Sequence, residues 1–520
     1  MIMEEKKKTI YGYICESVSD GVLPDGFSLF KSEGNSEEII WADGAMDGVA
    51  MYHMDLTPLN DEDHALMMDA IKAASDKQFD RADELFEELG SRVKALSAID
   101  PMQKYIMDSK DELTAGNLFS YAVHLVKYSS DRECVKFGLS ILELADIDEF
   151  ETLKDIVRII GLSDEFSLFA IFVMSRWKDG NNEIFDLARK VHGWGRIHAI
   201  DRIRPENEQI RRWLLLEGTH NDVMDSYSAL PCWNNSGAGE ILKNDPTKEE
   251  YTGIRDLIRG LLDESAVTGI SELPDGEEIL MRFLEISRDL ADDIEDYEAI
   301  YEIQKYLEDQ DDKDPRIIPL CFEILSCDRC KELVSQAVKH GKDIELAEEL
   351  GLDYKADVFK IMQDDFNKHF YLCNILMKDP EYKEPVLELF REKLPLDSMK
   401  TKPDKILGLG MEYRNQNILE FILQELRLCP LEGIDFVETG LMSAPIRTRN
   451  DAMFVLESWV SRNKKPLNEL LPKLHSLLCD LREIEPDDNV RKRMDNLIEG
   501  KTAFKEISVD YDDIENSLLH

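Results

Sequence analysis

The stretch "ETLKDIVRIIGLSDEFSLFAIFVMSRWKDGNNEIFDLARKVHGWGRIHAIDRIRPENEQIRRWLLLEG", residues 151–218, decides the fold. Its apolar residues recur at three- and four-residue spacing, which is the period of an amphipathic helix. The second helix of each predicted pair ends in glycine, at Gly161, Gly193 and Gly218. First helices start near Cys134, Phe166 and Trp194, about 30 residues apart. Such hairpins cannot bury their apolar faces alone, so the pattern predicts an α-solenoid of stacked helical hairpins.

The first 56 residues have a different pattern. Four Asp-Gly pairs, which favour tight hairpin turns, stand at 20–21, 25–26, 43–44 and 47–48. Between them lie the β-like runs "TIYGYICESV", "FSLF", "EEIIWA" and "VAMYHMDL". The predicted fold class is therefore mostly α, a solenoid with a small N-terminal antiparallel β unit over residues 1–56.

The remaining chain divides by composition. Residues 57–229 form a first predicted helical-repeat array, and residues 251–505 form a second. Between them, "LPCWNNSGAGEILKNDPTKEE" (230–250) is rich in Asn, Gly, Ser and Pro, which predicts a loop or hinge. Residues 506–520 form an acidic tail.

Composition narrows the classes of partner. The 520 residues include 62 Lys and Arg against 107 Asp and Glu, a formal net charge of −45, which disfavours nucleic acid and anionic membranes. Nine scattered Cys suit a reducing compartment, and the N-terminus lacks the apolar core of a signal peptide. The longest strongly apolar run, Phe166–Ser175, is about half the length of a membrane span. We predict a cytoplasmic protein with no membrane or nucleic-acid partner.

Two resemblances follow from particular segments. "PIRTRNDAMFVLESWV" and "PDDNVRKRMDNLIEG" resemble HEAT/armadillo-type repeats, in which a Pro or Asp opens a helix and an Arg follows just inside it. Arg447, Asp451 and Arg491 occupy such positions. As a pattern, this resemblance covers about residues 60 to 500, and it implies a solenoid with a protein-binding groove. "YGYICESVSDGVLPDGFSL" and "WADGAMDGVAMYHMDL" resemble bacterial proteins labelled limonene hydroxylase, which implies monoterpene oxidation. The chain lacks a strand-turn-helix G-x-G-x-x-G and a haem-thiolate motif, and we predict no cofactor.

A basic stretch in this acidic chain is the first candidate site. "RKVHGWGRIHAIDRIRPENEQIRRW" (189–213) has seven Lys or Arg and three Asp or Glu, a net charge of +4. Arg side chains match carboxylates and phosphates, so the stretch predicts a groove for a protein or acidic peptide. The predicted binding residues are Arg196, Arg202, Arg211, Arg212, Trp194, Trp213, Trp233 and His198. In the alternative interpretation, the Arg residues pair with nearby acids and the Trp rings fill space between repeats.

The competing hypothesis is an enzyme, such as a metal-dependent or limonene-hydroxylase-like oxygenase, with its site near the N-terminal unit. Its candidate residues are Asp43, Asp47, His53 and Asp55. A second metal or acid-base cluster would use His192, His198, His220, Asp201 and Asp222. Cys327 and Cys330 form a lone C-x-x-C pair, which does not complete a zinc site. The primary prediction remains a non-catalytic scaffold without a bound metal.

Overall fold

The computed structural model describes residues 9–29, 41–310 and 313–501. The chain divides between Leu325 and Ser326 into two compact units, here called unit 1 and unit 2. Over the described residues both units are built from helices, and no β-strand longer than an isolated bridge is present. In the same ranges, no helix combines the length and the apolar composition that crossing a bilayer requires.

Unit 1 contains helices α1 to α18 and a 3-10 turn at Ile270–Glu272. The helix bounds are Ile10–Ser17 (α1), Ala45–His53 (α2), Asp61–Ser75 (α3), Phe79–Arg92 (α4), Ala95–Asp108 (α5), Ala115–Tyr128 (α6), Arg132–Leu142 (α7), Glu151–Ile160 (α8), Asp164–Met174 (α9), Gly180–Ala188 (α10), Gly193–Ile200 (α11), Glu208–Leu216 (α12), Ser226–Ser236 (α13), Ala238–Lys243 (α14), Lys248–Leu262 (α15), Gly276–Leu290 (α16), Ile294–Glu308 (α17) and Ile317–Leu325 (α18).

The helices of unit 1 pack in a repeating order. Helices α3, α5, α7, α9, α11, α13, α15 and α17 form one row in which each helix packs on the next. Helices α6, α8, α10 and α12 each pack on the row helix that follows them. A helix in the middle of such a row has neighbours on several sides, and the sequence of α9, "DEFSLFAIFVM", is accordingly apolar almost all round. The predicted mostly helical fold is confirmed, and the order of packing in unit 1 is compatible with layered helical hairpins.

The predicted N-terminal β unit is wrong over its described residues. The run "TIYGYICESV" folds as α1, in which Ile10 and Ile14 are buried one helical turn apart, and most of "VAMYHMDL" folds as α2. Packing on the repeats overrides the weak β preference of these runs. The turn at Asp20 and Gly21 does adopt positive φ, next to an isolated antiparallel bridge. "FSLF" is not a strand in its described part, and "EEIIWA" lies largely outside the described residues.

The structure also places helices in 230–250, where composition predicted a loop or hinge. Helix α13 continues through Pro231, α14 follows, and α15 starts within the stretch. Gly237 joins α13 to α14 with φ +82°, a conformation that glycine adopts without steric cost. The small polar residues therefore form short helix junctions inside unit 1.

Unit 2 contains helices α19 to α31 and 3-10 turns at Phe370–Leu372 and Met411–Tyr413. The helix bounds are Asp328–Val338 (α19), Ile344–Glu349 (α20), Lys355–Asp364 (α21), Phe366–His369 (α22), Cys373–Leu376 (α23), Lys383–Lys393 (α24), Leu396–Met399 (α25), Arg414–Leu426 (α26), Ile434–Leu441 (α27), Ile446–Asn463 (α28), Leu467–Leu470 (α29), Pro472–Arg482 (α30) and Asp488–Ile498 (α31).

A buried ion pair lies in the core of unit 2. Arg449 on α28 and Glu485, which precedes α31, have fully buried side chains and share two hydrogen bonds of 2.8 Å. Arg449 also donates to the carbonyl oxygens of Ser443 and Asp404, so its guanidinium is well satisfied. The residues that carried the repeat resemblance make separate ion pairs and hydrogen bonds, Arg447 with Glu420, Asp451 with Arg427, and Arg491 with the backbone of Glu485.

Candidate functional site

Helix α2 forms one wall of the candidate site because it packs on helices far along unit 1. Its residues Ala45, Val49 and Tyr52, spaced four and three apart, contact a core made by Trp194, Ile197 and Tyr227. This spacing places the three side chains on one face of a helix. The helix that the sequence suggested as a strand therefore joins α11 to α13.

Two glycines allow α2 to approach closely. Gly44 stands before the helix with φ +74°, and its backbone N–H donates to Glu165 Oε2 at 3.0 Å. A Cβ on Gly48 would lie 2.2 Å from the ring of Trp194. No side chain fits at that distance, so Gly48 is needed for the contact between α2 and α11.

A buried charge network holds the same segment on α7 and α9. Lys136, with a side chain only 3% exposed, lies 2.6 Å from Asp47 Oδ2, 2.7 Å from Glu165 Oε1 and 3.6 Å from Glu133 Oε1. Arg132 contacts Asp43 at 2.9 Å and Glu165 at 3.1 Å. These six residues, the charge network, connect the N-terminal segment to two repeats.

Electrostatics keep the charge network ionised at its centre. Burial alone would lower the pKa of Lys136, but the attraction of Glu133, Asp47 and Glu165 raises it above its usual value. For Glu165, burial favours the neutral acid, yet Lys136, the Gly44 N–H and Arg132 together lower its pKa. For Asp43 and Asp47, burial outweighs the attraction of Arg132 and Lys136 and raises the pKa. The ion pairs of the network attach the N-terminal segment to α7 and α9.

Next to the charge network lies an aromatic cluster of Tyr52, His53, Trp194, His198 and Tyr227. The rings of Tyr52 and Tyr227 are 5.0 Å apart, and those of Trp194 and Tyr227 are 4.9 Å apart. Tyr52 also stacks on His198 at 6.4 Å. Ring pairs at these distances add to the stability that burial alone provides.

Hydrogen bonds fix the polar ends of the cluster. Tyr52 donates its hydroxyl proton to Asp201 Oδ2, and burial together with the Asp201 charge raises the pKa of Tyr52 well above its usual value. His53 Nε2 and the Tyr227 hydroxyl lie 2.6 Å apart. His198 is 1% exposed, and burial, followed by the nearby Arg202, lowers its pKa to about 3. His198 is therefore neutral at physiological pH.

A cavity of about 610 Å³ opens beside this cluster. Helices α2, α11 and α13 and the segment after α15 surround it, and its lining residues are Tyr52, Asp201, Ser226, Tyr227, Leu230, Pro231, Glu264, Ser265, Ala266, Val267, Thr268 and Ser271. A volume of this size is typical of pockets for small molecules or short peptide segments. The lining combines apolar surface, hydroxyl groups and two carboxyl groups.

The predicted basic groove is not a single exposed surface. Four of its eight residues are buried, namely Trp194, Arg196, His198 and Trp233. Arg196 lies over the Trp213 ring at 5.0 Å and donates to the Glu217 carbonyl oxygen at 2.6 Å. Arg202 lies over the Phe172 ring, Arg211 donates to the Pro205 carbonyl oxygen, and Arg212 pairs with Glu249. The alternative interpretation, internal pairing and packing, describes these contacts.

The residues of the enzyme hypothesis are distributed over different contacts. Asp43 and Asp47 belong to the charge network, His53 bonds to Tyr227, and Asp55 is exposed. In the second cluster, His192 lies 3.1 Å from Asp222, whereas His220 approaches Asp256 at 3.8 Å. The histidines therefore do not converge on one position.

Among the described residues, one cluster of carboxylate side chains has a spacing that could hold a metal ion. It consists of Asp292, Asp293 and Asp296. Lys248 and Arg255 already pair with these carboxylates, which provides their compensating charge. Cys327 caps the start of α19 by accepting from the Cys330 N–H at 3.3 Å. A structural position accounts for each of these motifs.

Sequence reasoning missed Lys136, Tyr227 and Glu264. Lys136 carried a signal in the sequence, because it stands between Val135 and Phe137 in the largely apolar run "CVKFGLSIL". A charge at such a position requires a buried partner. The sequence around Tyr227 and Glu264 gave no comparable signal, because only tertiary packing brings these residues to the same cavity as Tyr52 of α2.

The chain was also compared with known proteins. No protein-family model matches it, and the curated proteins contain no match either. Its function is therefore inferred from its own residues and their arrangement.

Proposed function

We propose that unit 1 is a non-catalytic, partner-binding helical scaffold of the HEAT/armadillo type, and that its partner enters the cavity beside Tyr52 and Tyr227. The observation that carries this proposal is the cavity of about 610 Å³ on a layered helical array. Layered helical arrays present extended concave surfaces that bind other proteins.

Hydrogen bonds hold the polar groups around the cavity in place. Tyr52 is bonded to Asp201, His53 to Tyr227, and Glu264 to three donors on Gly269 and Ser271. Groups held in this way form a rigid, preorganised surface. Rigid walls lower the entropy that is lost when a partner binds.

A position-specific crosslink tests the proposal. A photoreactive benzoylphenylalanine replaces Thr268, which is exposed and lines the cavity, and in a control chain it replaces Glu149, whose side chain is 87% exposed elsewhere on unit 1. We expect irradiation in native lysate to capture a defined partner from position 268 and not from position 149.

A cavity-filling variant makes the result specific. Ala266→Trp adds a large ring at a half-buried position in the cavity wall. It should abolish the crosslink from position 268 while the thermal melt shows a folded chain. Equal capture by the Ala266→Trp variant, or no capture from position 268, would refute the proposal.

A further inference from the structure

The carboxyl groups set the charge of the cavity. Asp201 and Glu264 are the charged residues among those that line it, and none of the described lining residues is Lys, Arg or His. Asp201 uses one carboxylate oxygen to accept from Tyr52, and its side chain remains exposed. Burial raises the pKa of Asp201, whereas the hydrogen bond from Tyr52 and the charge of Arg202, which lies outside the lining, oppose that rise. The lining therefore carries two carboxyl groups and no cationic side chain.

Glu264 holds a fixed charge in the wall. Its Oε1 accepts from the Gly269 N–H at 2.9 Å, the Ser271 N–H at 2.9 Å and the Ser271 hydroxyl at 2.5 Å, and its Oε2 accepts from Tyr306 at 3.1 Å. Burial alone would raise the pKa of Glu264, but these hydrogen bonds lower it below the usual value. The carboxylate is thus ionised at neutral pH.

The aromatic residues add a second preference for positive charge. Tyr52 and Tyr227 both line the cavity, with ring centroids 5.0 Å apart. Aromatic faces attract ammonium and guanidinium groups, and the attraction grows when the cation leaves water. Leu230, Pro231 and Val267 supply apolar surface for an aliphatic stem.

From this juxtaposition we infer that the cavity binds an alkylammonium group, carried either by a free diamine or polyamine or by a lysine side chain of a partner. The inference rests on the proposed function, in that the same cavity is the binding site. Two carboxyl groups and two tyrosines favour a cation in the cavity. An anion would lie near Asp201 and Glu264 and would find no cationic side chain in the lining. The volume exceeds one ammonium group and accommodates its carbon chain.

Calorimetric titration of the full chain tests the inference. The probe is cadaverine, a five-carbon diamine, and the control is pentane-1,5-diol, which has the same length and no charge. Salt at about 0.15 M suppresses diffuse attraction to the acidic surface. We expect one cadaverine per chain to bind, and the diol to bind at least about tenfold more weakly.

Matched variants assign the binding to the cavity. Asp201→Asn keeps an acceptor for Tyr52 and removes one charge, so it should weaken cadaverine binding about tenfold. Glu264→Gln should do the same, and thermal melts identify any loss of folding in either variant. Glu149→Gln removes an exposed charge elsewhere on unit 1 and should leave binding unchanged. Equal binding by wild type and Asp201→Asn would overturn the inference.

Two peptides distinguish the sources of the amine. A capped Gly-Gly-Lys-Gly-Gly peptide is compared with the same peptide containing norleucine in place of lysine. Binding of the lysine peptide indicates a partner side chain, whereas binding of cadaverine alone indicates a free amine. If neither amine binds better than its neutral control, the inference fails. The crosslink from position 268 would then still report on the scaffold proposal separately.

Discussion

Lys136 compensates three carboxylates that come from separate parts of unit 1. Lys136→Met keeps most of the side-chain volume but leaves Asp47, Glu133 and Glu165 without their shared cation in a buried site. Removing one partner from a buried ion pair typically costs about 3 to 5 kcal/mol. We expect a loss of that size in the free energy of unfolding, measured by urea denaturation.

Lys178→Met provides the matched control for this loss. Its side chain is 77% exposed and lies 3.6 Å from the exposed Glu149 and 3.9 Å from Asp148. Surface substitutions of this kind usually change stability by no more than about 0.5 kcal/mol. Similar losses from the two variants would show that the charge network contributes no special stability.

Asp164 gives unit 1 a pH-dependent stability. Burial, with smaller contributions from Asp43, Asp222 and Glu165, raises its pKa from 3.8 to about 7. The Gly195 N–H donates to Asp164 Oδ1. Lys190 and His192 line the same cavity as Asp164. Between pH 3.8 and about 7, the folded state therefore retains a proton on Asp164 that the unfolded state has released. The free energy of unfolding falls as the pH rises through this interval.

Asp164→Asn should remove this pH dependence, because its side chain is neutral at every pH. We expect the wild-type melting temperature to fall between about pH 5 and pH 7, and the variant's to fall less over the same interval. Thermal melts at half-unit pH steps measure both curves. Parallel curves would contradict a raised pKa for Asp164.

At the scale of the element, α2 depends on the absence of a side chain at position 48. Gly48→Ala would place a Cβ 2.2 Å from Trp194, so α2 must move away from α11. We expect hydrogen exchange to increase over Ala45–His53 while α3 to α18 keep their protection. Gly116→Ala is the control, because nothing lies within 4 Å of the added methyl group and alanine favours the helix. Equal protection of α2 in both variants would refute this role.

The failure to predict α2 has a local cause. In "VAMYHMDL" the alternation of Ala50, Tyr52 and Met54 matches a strand, whereas the helical face that is used runs through Ala45, Val49 and Tyr52. Short segments satisfy both periods, and tertiary contacts decide between them. The exposure of the basic side chains in 189–213 was also not predictable, because the sequence does not show that Arg196 is buried over Trp213.

At the scale of the whole molecule, each unit has its own buried ion pairs and core. Arg449→Met would leave Glu485 buried without its cation in unit 2, with an expected cost of about 3 to 5 kcal/mol. In layered helical proteins stability comes from neighbouring elements, so the effect should stay within unit 2. Hydrogen exchange should therefore increase in α26 to α31 and remain unchanged in α3 to α15. A matching increase across unit 1 would show that the chain unfolds as one cooperative unit.

The repeating order of helices was predictable because it is local. Each hairpin carries its own period, and the helices that precede Gly161 and Gly218 end at Ile160 and Leu216. Gly193 was predicted to end a helix, but α10 ends at Ala188 and Gly193 begins α11. The boundary at Leu325 was not predictable, since it depends on which helices pack together and not on composition. The cavity could not be predicted from the sequence either, because Tyr52, Tyr227 and Glu264 are far apart in the chain.

The bond between His53 and Tyr227 joins residues 174 positions apart. During synthesis, at about 5 to 20 residues per second, α2 leaves the ribosome roughly 9 to 35 seconds before its partner tyrosine does. Until Tyr227 has been synthesised, the core of Trp194, Ile197 and Tyr227 that covers Ala45, Val49 and Tyr52 is incomplete. The apolar face of α2 is then exposed to chaperones and to other nascent chains.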